Sequence, residues 1–311
     1  MSLRRETSTG LLALIREGRP MTLGQQIHLT VMLSVPAVVA QLSSIVMQYI
    51  DAAMVGSLGA EEAAAIGLVS TTTWLFWGLC IASSTGFSVQ VAHRIGAGDM
   101  QGARNVLRQA VTSTTLFSFA LAAIGVAISD VLPEWLGGDV SIHHDASLYF
   151  LIFSLFLPAL QLNFLAGGML RCSGNMRIPS LLGVVMCVLD VIFNFFLIFP
   201  TRHAVVAGID IFIPGAGLGV EGAALGTVAA ETVVATIQMW YLCTHSSELK
   251  LTKEKGSFRP QVNILKKALR TGLPMGLEHV VICGAQIMTT VIVAPLGVFA
   301  IAANSFAITA E

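Results

Sequence analysis

Four polar residues, Gln41, Ser44, Gln48 and Asp51, recur at spacings of 3, 4 and 3 inside an apolar run that starts near Ile27. On a helix that spacing forms one stripe. Asp190 and Asn194 stand one turn apart within CVLDVIFNFFLIF, and Thr227, Glu231 and Gln238 share a face of another run. Glu278 and His279 sit in a further run, four and five residues past Pro274. Carboxylates in such settings can take up a proton or hold a cation. At the centre of a membrane helix a charge costs roughly 2.5–3.5 kcal/mol on insertion scales, so these groups should face a bundle interior or a wet cavity. The plainer alternatives are an Asp51 that snorkels to the headgroups, and structural hydrogen bonds for Asp190 and Glu231.

The composition identifies the solvent. The chain has 311 residues, 55% apolar and only 11% charged, with a mean hydropathy of +0.78; a soluble domain carries about 25% charged residues. Apolar runs fall at about 28–55, 62–92, 107–129, 147–170, 179–200, 218–243 and 273–294, and another begins near 299. Crossing hydrocarbon takes about 20 such residues, which makes this an all-α polytopic membrane protein. The first run is too long for the apolar region of a cleavable signal. Residues 8–19 read as a short amphipathic helix lying at the inner surface.

Sixteen of the seventeen Lys and Arg residues fall before the first run or in alternate loops, around Arg94–Arg108, Arg171–Arg177 and Lys250–Arg270. The opposite loops hold only Arg202 and collect acids such as Glu61, Glu62, Asp130 and Glu134. The positive-inside rule therefore puts the N-terminus in the cytoplasm and the chain in the inner (plasma) membrane as a multi-pass protein. It also explains the basic loops without nucleic acid.

Motifs for chemistry are absent. The five cysteines are scattered with no ligand spacing. No Walker loop, GxSxG or HExxH occurs. Gly-rich RIGAGDMQGAR follows a span in a cytoplasmic turn, and His143 and His144 read as solvated loop residues. An enzyme is not indicated, nor is a cofactor.

Residues 36–68 align on 274–306 without gaps, at an offset of 238. Pro36 meets Pro274, Gln48 meets Gln286, and VGSLGAEEAAA meets VAPLGVFAIAA. An offset spanning six helices keeps both copies in one orientation and suggests two six-helix lobes, as in some secondary transporters. The expected organisation is a cytoplasmic segment at 1–27, a six-helix lobe at 28–243, a cytoplasmic linker at 244–272 and the start of a second lobe at 273–311. The second lobe is expected to be truncated, making the chain an N-terminal fragment of a longer transporter.

In this order the motifs AQLSSIVMQYIDAAMVGSLGAEEAAAIG, VQVAHRIGAGDMQGARNVLRQA, GGMLRCSGNMRIPSLLGVVMCVLDVIFNFFLIF, GVEGAALGTVAAE and GLPMGLEHVV resemble the multidrug and toxic compound extrusion (MATE) transporters. The resemblance runs over nearly the whole chain and implies a twelve-helix fold, of which about eight helices are present. It implies an antiporter that exports organic, often cationic, compounds against protons or sodium ions. It makes Asp51, Asp190 and Asn194 the coupling-ion residues of the N-terminal lobe. Members with asparagine first and aspartate second have the reverse of the order seen here. Tyr149 matches a tyrosine lining the same cavity, and Thr227 is expected to face it too. Several members place a glutamate where this chain has Ile282. Glu278, one turn earlier, is therefore only a possible second-lobe acid.

These assignments imply a mechanism. Asp51 and Asp190 repel each other in a confined cavity until a proton or sodium ion removes that repulsion, and the first span then bends at a hinge near Pro36. Met47, Gln48, Tyr149 and Phe153 would line the substrate path. The full-length protein is expected to be a monomer in the lipid bilayer. The rival readings are a lipid-linked oligosaccharide flippase of related fold and a truncated membrane protein that transports nothing.

Overall fold

The computed structural model describes Leu11 and residues 20–206, 209–251 and 256–310. Most of the expected amphipathic helix at 8–19 lies outside the described residues. Among the described residues from Met21 onward, ten α-helices and one hairpin follow. They are α1 (Leu23–Gly56), α2 (Ala60–Gly96), α3 (Met100–Ile128), the single turn α4 (Leu132–Trp135), α5 (His143–Leu155), α6 (Leu157–Cys172) and α7 (Arg177–Ile198). Strands β1 (Pro200–Val206) and β2 (Ile209–Ala216) come next, then α8 (Gly219–Thr244), α9 (Val262–Val293) and α10 (Val298–Ala310).

The apolar runs mark the helices, and the helices outrun them. α1 begins at a capping box, with Thr22 Oγ1 accepting from the Gln25 amide and Gln25 Oε1 from the Thr22 amide. α9 begins at Val262, ahead of the run at 273, because VNILKKALRT is helical but too polar for hydrocarbon. Hydropathy finds the part inside the membrane; backbone hydrogen bonds continue past it.

One span is broken. α5 and α6 meet at Phe156 with a 49° bend. Pro158 in the first turn of α6 lacks an amide proton and cannot continue the hydrogen-bond ladder of α5. The hairpin is a second addition to the all-helical expectation. β1 and β2 pair antiparallel, with Arg202 opposite Ile213 and Val206 opposite Ile209. The alternating Ile209, Ile211 and Ile213 are its sequence signal. Arg202 places its guanidinium over the rings of Phe195 and Phe199, 4.9 and 4.6 Å from their centroids.

α2 is the central helix. Of its apolar window 61% is buried, against 6% for α1. It packs on α3, α5, α6, α9 and α10, whereas α1 leans on α7 and α7 on α8. Around α2 the core runs through Leu68, Phe76, Phe150 and Leu157, with Phe76 and Phe150 edge to face at 5.7 Å. The separation of α1 from α2 leaves room between them.

The internal repeat is structural. Pro36 lies inside α1 and Pro274 inside α9. α10 starts at Val298, 238 positions after α2 starts at Ala60. Gly297 precedes it with φ +102°, a left-handed conformation that favours glycine.

At the polar end of α3, buried Arg104 and Arg108 hold the segment leading to α9. Arg104 Nε donates to the Glu248 carbonyl at 3.0 Å and Arg108 Nη2 to the Leu251 carbonyl at 3.4 Å. The Gln261 amide donates to Gln109 Oε1 at 2.9 Å.

Candidate functional site

The space beside α1 is a cavity of about 520 Å³. Gln41, Ser44, Met47, Gln48 and Asp51 enter it from α1, so the polar stripe faces inward as its spacing required. Tyr149 and Phe153 come from α5, and Thr227, Glu231 and Gln238 from α8.

Asp190 and Asn194 lie behind the wall, each 1% exposed. Asn194 Nδ2 donates to Asp51 Oδ1 at 3.0 Å and to Asp190 Oδ2 at 3.1 Å. One amide therefore joins two carboxylates from α1 and α7. The geometry depends on Gly226 of α8, because a Cβ there would collide with Asn194 Oδ1. Asp190 Oδ1 and Asn194 Oδ1 are buried with no hydrogen-bond donor among the described residues. Oxygen acceptors of this kind suit a hard cation, or a proton shared between carboxylates. No group of three or more His, Cys, Asp or Glu with metal-binding geometry occurs among the described residues.

Glu231 is also deep, at 8% exposure, and Asn163 Nδ2 donates to its Oε2. The structural hydrogen bond foreseen for Glu231 is thus present, but its carboxylate also borders the cavity. Glu278 is different. It lies on an exposed face of α9 and does not line the cavity, while its neighbour His279 packs against α2 at Gly78. Pro36 sits inside an unbroken α1.

The sequence reading missed part of the wall. Trp74 and Trp77 of α2, and Asn163, Phe164 and Arg171 of α6, all line the cavity. Trp77 meets Phe153 at 5.7 Å and Phe164 at 6.2 Å between ring centroids. Asn163 was detectable as an amide in an apolar run; the tryptophans gave no signal, since aromatic residues fit a core equally well.

Comparison with known proteins places the chain in a family. The chain is 25% identical over 280 residues to the "Probable multidrug resistance protein NorM" of Thermotoga maritima, covering 90% of this chain and 57% of that protein. It is 24% identical over 213 residues to an FAD transporter of Shewanella oneidensis, covering 68% and 44%. A solved inward-facing conformation of a multidrug resistance MATE family transporter superposes with a TM-score of 0.71 at 24% identity, over 89% of this chain and 59% of that one. The chain spans about half the length of the curated relatives it matches. The MatE family model matches residues 36–196, just over half of the chain, and the chain belongs to that family.

Proposed function

We propose that the protein is a secondary active antiporter that exports small organic cations in exchange for protons or sodium ions. The observation that carries this reading is the Asp51–Asn194–Asp190 cluster beside an aromatic-walled cavity. Two carboxylates joined by one neutral amide carry an excess of negative charge away from bulk water. A proton or a sodium ion entering from the outer side halves it and removes the repulsion between the carboxylates. The less negative cluster then holds an organic cation less well, which is the differential affinity that exchange requires.

Pro36 is the hinge in this reading. Its ring deprives the Met32 carbonyl of a helical partner and lowers the cost of bending α1. Bending would narrow the cavity and expel its contents. Trp77, Tyr149 and Phe153 supply faces for a cation, and Met47 supplies adaptable apolar surface. Residues 28–243 act as the first lobe, 244–272 as the linker and 273 onward as part of the second. The N-terminus is cytoplasmic and the protein is a monomer in the inner membrane. No catalytic step and no cofactor enter this scheme.

The relatives' names support drug export, since Yersinia enterocolitica MdtK is also called a multidrug resistance protein. The Shewanella relative is named for FAD, so the cationic cargo is inferred from the cavity and not from names. The test is efflux of ethidium from cells making the protein. Gradient-dependent efflux supports the reading, and retention equal to that of empty cells contradicts it.

A further inference from the structure

The basic residues read as cytoplasmic are not equivalent. Arg94 is paired with Asp99, and Arg104 and Arg108 are buried against the segment before α9. Lys266, Lys267 and Arg270 of α9 are exposed and make no ion pair among the described residues. No acid occurs from Gly256 to Leu277. Lys266 and Arg270 stand one helical turn apart, where like charges repel unless a counter-charge joins them.

The opposite side of this part of α9 is fixed to α2. Ile264 and Ala268 are buried, and Gln90 Nε2 donates to the Ile264 carbonyl at 3.1 Å. A Cβ on Gly86 would collide with the Ala268 carbonyl, so the two backbones touch. Held this way, α9 turns one stripe outward. Lys266, Arg270, Leu273, Leu277, Val281 and Met288 follow at spacings of 4, 3, 4, 4 and 7, and all six are exposed. At Gly284, between the last two, a Cβ would meet nothing within 4 Å.

The stripe changes character at the right depth. Its apolar part begins at Leu273, where the apolar run begins. Arg270 lies three residues earlier, about 4.5 Å along the axis. That is inside a headgroup layer about 5–7 Å deep. The internal repeat also bears on this face. It sets Val35, Val39 and Val46 of α1 at the positions of Leu273, Leu277 and Gly284, and all three valines are exposed. A second lobe built to the same plan leaves the α9 stripe in lipid.

We propose that this stripe is a docking surface for an anionic phospholipid of the inner leaflet, with the phosphodiester between Lys266 and Arg270 and an acyl chain along Leu273, Leu277 and Val281. Arg270 offers the phosphate two parallel donors, and Lys266 adds a point charge. Lys267 adds to the local positive potential. The exposed leucines favour a lipid over a soluble phosphate ester, which has nothing to lay against them. The proposal needs only that α9 spans the membrane, and it stands apart from the transport reading.

Photolabelling tests it. The protein is reconstituted in phosphatidylcholine vesicles with a trace of phosphatidylglycerol or of phosphatidylcholine carrying a diazirine in the acyl chain. Labelled residues are read by peptide mass spectrometry. The expected result is at least fivefold more labelling of Leu273, Leu277 and Val281 by the phosphatidylglycerol probe. Lys266→Gln combined with Arg270→Gln should reduce it to the phosphatidylcholine level. Labelling of Val35 and Val39 on α1 should stay the same, which shows that the variant is inserted. Equal labelling of the α9 stripe by the two probes overturns the proposal, and so does unchanged labelling in the double variant. Absence of label from both probes would mean that protein covers the face, which also overturns it. Loss of the difference in excess glycerol 1-phosphate would assign the basic pair to a free phosphate ester instead of a lipid.

Discussion

Asn194 and Asp51 lie 143 positions apart in the chain, yet Asn194 Nδ2 sits 3.0 Å from Asp51 Oδ1 and also holds Asp190. Removing that amide leaves two carboxylates with no common donor. A buried group that loses its partner costs about 1–3 kcal/mol. Asn194→Ala should therefore cut gradient-driven export at least tenfold, with the protein still inserted. Export assays normalised to membrane-inserted protein check this.

Gly226 makes the same point from the other side. Gly226→Ala forces Asn194 away from α8, since the new methyl would occupy the space of its Oδ1. Overpacking of this kind costs about 1–3 kcal/mol. The expected outcome is a lower thermal midpoint together with reduced export. A variant with unchanged export would show that the Asn194 geometry is not needed.

The clasp on the segment before α9 predicts a protease phenotype. Arg104→Ala removes the donor to the Glu248 carbonyl at a site 6% exposed. Trypsin should then cut at Lys250 or Arg259 faster than in the unmodified protein, read by gel and mass spectrometry. Arg108→Ala should act the same way on the Leu251 carbonyl.

The turn before α3 predicts a pH effect. The Gly102 amide donates to Asp99 Oδ1 at 2.8 Å, and Arg94 Nη1 lies 2.7 Å from Oδ2. The Gly102 hydrogen bond, followed by Arg94, holds the Asp99 carboxyl below its ordinary value of 3.8. Its contribution is therefore present above that value and lost as pH falls through the lowered one. Exchange protection of the Gly102 amide should drop below about pH 4, and Asp99→Asn, which keeps a capping oxygen, should remove that dependence.

The number and order of spans were legible because each apolar run is long enough to commit to a helix before any packing occurs. The inward stripe of α1 was legible because its period of 3 and 4 matches the helix. The bend at Phe156 was not, since Pro158 also fits a straight span that begins one residue earlier. The hairpin was hidden for another reason: 200–216 reads as a loop unless the alternation of Ile209, Ile211 and Ile213 is weighed. The meeting of Asp51 with Asn194 came from the family resemblance. Spacing on one helix carries no information about which neighbour it will face. Arg171 was read only as a loop charge, because its return toward Gly167 depends on a side-chain conformation and not on position.

The central claim is that Asp51 couples ion entry to export. The direct measurement is uptake of ethidium into inside-out proteoliposomes under an imposed proton or sodium gradient, with unmodified protein and Asp51→Asn at equal reconstitution. The account predicts gradient-driven uptake by the first and none by the second. Uptake by Asp51→Asn at the unmodified rate would contradict it.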